Sequence, residues 1–275
     1  MTILDAALLG LLQGIAEFLP ISSSGHLSVA KRIFGLSEVP LLFDVVLHVA
    51  TLAAVVLFFR KRIWAILVSL YRWIAHKSDA SDAGNLGLTV AVLAGTVCTG
   101  VIGVVLSKLV GEGSIKLVFA CFIATAILLV VSEKMARRRA LAQVSGTVVL
   151  VKGRLGLREG ILVGIAQGIG VLPGLSRSGV TISASLAAGV DREAAGEFSF
   201  LLSIPAILGA FILELKDADT LMTSVNPLAL VVGCAIAFVS GFFALHFLLR
   251  LIKRGKLSWF AVYLVPLGIW GLLFL

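Results

Sequence analysis

Between a few short charged stretches, the chain runs through apolar segments of about 20 residues, the length that crosses a hydrocarbon core as a helix. Six such runs read as full spans: 41–60, 86–110, 115–134, 196–215, 227–249 and 257–275. Residues are 59% hydrophobic and 14% charged, with a mean hydropathy of +1.10. A soluble domain carries roughly one quarter charged residues, so a water-soluble fold is excluded. Two further apolar stretches, 3–35 and 158–190, are interrupted by Leu-Pro, glycines and serines, and each reads as a helix-break-helix hairpin.

The net charge of +8 does not mark a nucleic-acid binder, because the basic residues gather in short segments between spans. Arg60, Lys61, Arg62 and Arg72 form one cluster. Lys134, Arg137, Arg138, Arg139, Lys152, Arg154 and Arg158 form a second, and Arg250, Lys253, Arg254 and Lys256 a third. The positive-inside rule assigns all three to the cytoplasm. The two interrupted segments then have no crossing left to make and must enter and return, the first from outside and the second from the cytoplasm. Lys31 and Arg32 run against this assignment, but are outnumbered. The expected fold is an all-α membrane protein, six transmembrane helices plus two re-entrant hairpins, in an inverted-topology internal repeat. It forms a single domain over 1–275, with repeats at about 1–140 and 155–275 and both termini outside.

The repeat is visible in the letters. Gly14-Ile15-Ala16-Glu17, followed by Leu19-Pro20-Ile21-Ser22-Ser23-Ser24-Gly25, recurs as Gly164-Ile165-Ala166-Gln167, followed by Leu172-Pro173-Gly174-Leu175-Ser176-Arg177-Ser178-Gly179. The N-terminal stretch carries Asp5, Gln13 and Glu17 without a basic leader, and is not expected to be a cleaved signal. Cys98, Cys121 and Cys234 stand singly in apolar spans, which indicates neither zinc nor a disulfide framework.

Ionisable groups and broken helices at membrane depth are functional by default. The first loop gathers Gln13, Glu17, Ser22, Ser23, Ser24, Gly25 and His26. The second offers Ser176, Arg177, Ser178, Gly179 and Thr181, so that together they read as a phosphate cradle. Gln13 and Glu17 stand four apart and share a helix face, where both could present oxygens to magnesium or calcium. His26 follows Ser23 by three, close enough on a helix to act as base or proton donor. Arg177 can grip two phosphate oxygens with its planar fork. Blander readings stand beside these: Glu17 pairing with a basic residue, His26 as a hydrogen-bonded structural histidine, and Arg177 bridged to Glu17 or Glu197. Glu197 is a candidate to orient Arg177 or merely to cap a helix. His48, His76 and His246 receive no catalytic role.

These motifs resemble the undecaprenyl-pyrophosphate phosphatase family of the bacitracin-resistance type. The resemblance rests on Gln13 to His26, Pro173 to Gly179 and Glu197 to Leu202, and extends over Phe43 to His48 and the basic segments. It implies a metal-dependent removal of the terminal phosphate from a polyprenyl pyrophosphate lipid in the bacterial plasma membrane, at a site open to the periplasm. Carried over, Glu17 and Gln13 hold the metal, Ser23 with His26 attacks or activates a water, and Arg177 clamps phosphate. Family members commonly have Glu-x-x-x-Glu where this chain has Gln13, which leaves one anionic ligand. The chain is expected to act alone or as a homodimer. The rival class is a transporter or lipid flippase of the same architecture.

Overall fold

The computed structural model describes residues 1–36, 38–111, 114–144 and 155–275, without the side chains of 143 and 144; Lys152 and Arg154 of the second basic cluster lie outside them. The described residues are helical and contain no strand. Eleven α-helices follow in order: α1 Ile3–Phe18, α2 Ser23–Ile33, α3 Leu41–Ile74, α4 Ala83–Val110, α5 Ile115–Val144, α6 Leu157–Ile169, α7 Arg177–Ala187, α8 Arg192–Glu214, α9 Ala218–Ser224, α10 Pro227–Lys253 and α11 Trp259–Phe274. Five helical stretches are long and apolar enough to cross a membrane: Leu41–Ile74, Ala80–Val110, Ile115–Ala142, Arg192–Ser224 and Pro227–Lys253. The chain is therefore a multi-pass membrane protein. The sixth expected span, α11, has 16 residues, about 24 Å of helix.

The first span was expected to stop at 60, but α3 continues to Ile74. Arg60, Lys61 and Arg62 end the apolar run without ending the helix, because long basic side chains lie along it, and the charges of Arg60 and Arg62 reach polar partners. Arg60 bonds the Leu57 carbonyl and Arg62 bonds Glu197 and Asn85.

Both interrupted stretches break where the letters break. α1 begins in a capping box between Thr2 and Asp5 and ends at Leu19, held extended by the proline that follows. Ser22 then caps α2, accepting the Gly25 N–H, with φ at +72°. A side chain at that φ is strained by roughly 1–3 kcal/mol. α6 ends at Gly170, Pro173 follows, and Ser176 caps α7 by accepting the Gly179 N–H.

Packing depends on small residues, since lipid offers helices no hydrophobic reason to associate. α1 packs along α10, and α6 along α4. At Gly14 an added Cβ would lie 2.6 Å from the Ala237 carbonyl oxygen, and at Gly164 it would lie 2.5 Å from Gly95 Cα. These glycines are equivalent in the sequence repeat, and each lets a short helix reach a long one backbone to backbone. Apolar residues point outward, as Leu93, Val97 and Val101 do on α4, while Thr99 of the same helix is buried.

Candidate active site

The breaks bring two helix N-termini, of α2 and α7, to one cavity of about 480 Å³. Its wall includes Glu17, Ser22, Ser23, Ser24, His48, Ser176, Arg177 and Ser178, and continues into Leu41, Val45, Val104, Val171 and Leu213. A polar end and an apolar side thus share one space. Helix N-termini carry unpaired N–H groups and partial positive charge, which favours anions there.

Glu17, only 9% exposed, is the hub. Ser23 donates its hydroxyl to Glu17 Oε2 at 2.7 Å, and Gln13 Nε2 donates to the same oxygen at 3.0 Å. His48 Nε2 lies 3.3 Å from Oε2, and Arg177 pairs with Oε1. A buried carboxylate survives only when its charge is met by such partners. Hydrogen bonds also tie the hairpins together: Ser178 Oγ donates to the Phe18 carbonyl at 3.2 Å. Ser176 N–H donates to Thr125 Oγ1 on α5 at 3.1 Å.

Several expectations are corrected. His26 does not turn to the Ser23 hydroxyl. Its Nδ1 meets the Ser22 carbonyl and its Nε2 the Tyr263 hydroxyl, both at 2.8 Å, and its ring packs on Phe122. One turn of α2 aims His26 at α11 and α5, whereas Ser23, at the helix start, faces α1. Glu197 accepts from Arg62 Nε at 2.6 Å and does not orient Arg177. Thr181 is fully buried, bonded to the Ser199 hydroxyl and the Arg177 carbonyl, and is not among the residues lining the cavity. Gly25 serves close packing, with an added Cβ falling 2.8 Å from Gly174 Cα, and Gly179 abuts Ser176 and Pro20. Lys31, the charge that ran against the topology, is paired with Asp44 at 2.7 Å.

The expected metal pair is arranged otherwise. Gln13 is fully buried, does not line the cavity, and turns its amide N–H, not its oxygen, to Glu17; Gln13 Oε1 has no hydrogen-bond partner. Among the described residues no group of three His, Cys, Asp or Glu could hold an ion. Glu17 is thus the one carboxylate of the expected pair, and a cation there would have to take its remaining oxygens from the substrate's phosphates and water.

His48 is the site residue that the sequence reading passed over. The signal was available: Asp44 and His48 stand four apart on an otherwise apolar span, and ionisable side chains at that depth are rarely idle. Gln167, the repeat's counterpart of Glu17, also lines the cavity and donates Nε2 to Thr99 Oγ1 at 3.0 Å. The second copy therefore adds no carboxylate.

The profile of a family described as bacitracin resistance protein BacA matches residues 6–270. Undecaprenyl-diphosphatase of Treponema denticola is 51% identical over 269 residues, covering 98% of this chain and 96% of that one. The protein of that name from Carboxydothermus hydrogenoformans is 40% identical, covering 96% and 94% of the two chains. That from Thermomicrobium roseum is 41% identical, covering 98% and 96%.

Proposed function

The chain belongs to the bacitracin resistance protein BacA family, and from that membership we propose that it hydrolyses undecaprenyl diphosphate to undecaprenyl phosphate and inorganic phosphate. The supporting observation is the Ser23 hydroxyl on a buried carboxylate, Glu17, that the opposite hairpin's Arg177 neutralises, at a cavity that continues into apolar walls. A polyprenyl diphosphate has the same division, a charged head on an apolar chain.

The arrangement supports a two-step reaction. Ser23 Oγ bonds to the terminal phosphorus, its proton passes to Glu17, and the anhydride P–O bond breaks to release undecaprenyl phosphate. Water then attacks the phosphoserine, the P–OSer bond breaks, and Glu17 returns its proton to Ser23 as inorganic phosphate leaves. Arg177, with the N–H groups at the starts of α2 and α7, meets the charge on the phosphoryl oxygens. A diphosphate competes with Glu17 for the guanidinium, so the ion pair and the phosphate clamp are successive uses of one side chain.

The same reading covers the membrane arrangement: six crossings and two re-entrant hairpins in inverted halves. Mirrored pairings support it. α1 lies on α10 as α6 lies on α4, α3 meets α10 as α8 meets α4, and α1–α2 answers α6–α7. Leu41, Ser107 and Leu213 line the cavity from helix ends remote from the basic clusters, which supports an opening on the periplasmic side.

Purified protein given undecaprenyl diphosphate should release phosphate, Ser23→Ala should abolish the release, and acid quenching of the wild type should trap phosphate on Ser23. An active Ser23→Ala variant would remove the serine from the chemistry. Wild-type protein that binds the lipid but releases nothing would move the assignment to a carrier.

A further inference from the structure

His48 stands on α3, outside both hairpins, yet faces their shared carboxylate and serine. Its Nδ1 lies 2.7 Å from the Asp44 carbonyl oxygen, which can only accept, so Nδ1 carries a proton and the ring is fixed on its own helix. Nε2 lies 3.4 Å from Ser23 Oγ and 3.3 Å from Glu17 Oε2. The one proton of Ser23 is committed to Glu17 at 2.7 Å, so neither oxygen has a proton to offer the ring. An N–H at Nε2 would therefore face two acceptors, so the ring is placed to donate and not to take the serine's proton.

A donor at that point has a use in the reaction. When Ser23 Oγ approaches phosphorus to about 3 Å, the phosphoryl oxygens around that phosphorus come within hydrogen-bond reach of a group 3.4 Å from the serine. Resting on the phosphatase reading above, we propose that His48 is a further catalytic residue, turning its Nε2–H from Glu17 and Ser23 to a phosphoryl oxygen as the Ser23–phosphorus bond forms. Arg177 and His48 then stand on either side of Glu17, one from α7 and one from α3, and the transferring phosphoryl group is met by both. The proton path is unaffected: the Ser23 proton goes to Glu17 and the anhydride oxygen leaves with the lipid phosphate.

Three variants test this. His48→Leu keeps bulk and loses the donor, His48→Asn keeps polarity with an amide too short to reach, and His48→Gln restores an N–H at similar reach. Loss of one such donor lowers kcat by about 10²–10³-fold in other enzymes. His48→Leu and His48→Asn should show a loss of that order with KM changed by less than about tenfold, and His48→Gln should recover at least about tenfold of it. Orthovanadate, which mimics the transferring phosphoryl group, should inhibit His48→Leu and His48→Asn more weakly in proportion to the lost kcat, while inhibition by inorganic phosphate changes little. Variants within about threefold of wild-type kcat, or a fall in kcat with unchanged vanadate inhibition, would overturn the assignment; His48→Asn decides it where His48→Leu does not fold. Wild-type protein without phosphatase activity would instead bring down the parent reading, which separates the two failures.

Discussion

Glu17 spreads its charge over four partners, and each makes a different prediction. Arg177→Lys keeps the positive charge but loses the planar fork. It should lower turnover at least about 100-fold, the equivalent of roughly 2.7 kcal/mol of transition-state stabilisation, in protein that still elutes as a folded species. Gln13→Glu is more informative, because it replaces the amide N–H on Glu17 Oε2 with a second buried carboxylate. Two carboxylates that close cannot both stay ionised without a counter-charge. The variant should need divalent cation for activity at concentrations where the wild type does not, which titration of magnesium after EDTA treatment will show. That Glu17, Ser23 and Arg177 belong to one place was legible because membrane depth makes polar side chains costly, although Ser22 and Ser176 of the same loops serve as helix caps. The partner of Ser23 was not legible. Spacing put His26 on the next turn, but which way α2 faces is decided by Tyr263 and Phe122, more than ninety residues away in sequence.

At the scale of elements, the helices and both hairpin breaks follow from run length, proline and serine caps. What the letters left open was how the short helices attach to the long ones. Gly14 and Gly164 answer that by contact, and Gly164→Val should force α6 off α4. Overpacking of this kind costs about 1–3 kcal/mol, to be read as a lower melting temperature in detergent without loss of the cation or substrate preferences of whatever remains folded. Tyr263 pins α2 to α11 through His26. Tyr263→Phe should therefore reproduce most of the effect of His26→Ala on thermal stability, and the double variant should be less than additive. Additive losses would return His26 to an independent role. The end of α3 was misjudged for a related reason: an apolar run reports the membrane's extent, while the helix continues as long as Arg62, Asn85 and Glu197 hold its polar extension.

For the whole molecule, the proposed topology puts the loop after α3 and the turn after α2 on opposite sides of the membrane. In a background free of the three native cysteines, His76→Cys should be shielded from an impermeant maleimide in intact cells and Gly35→Cys should be labelled; the reverse pattern would invert the protein. The pairing of α1 with α10 carries a consequence for biosynthesis. The main neighbour of α1 lies more than two hundred residues downstream, so during translation the glycine face of α1 stays uncovered until α10 has been made. In chains arrested before Pro227, Leu9→Cys should react with a membrane-permeant maleimide, and elongation past Lys253 should protect it, which makes the seating of the helix that carries Glu17 one of the last events of insertion rather than one of the first.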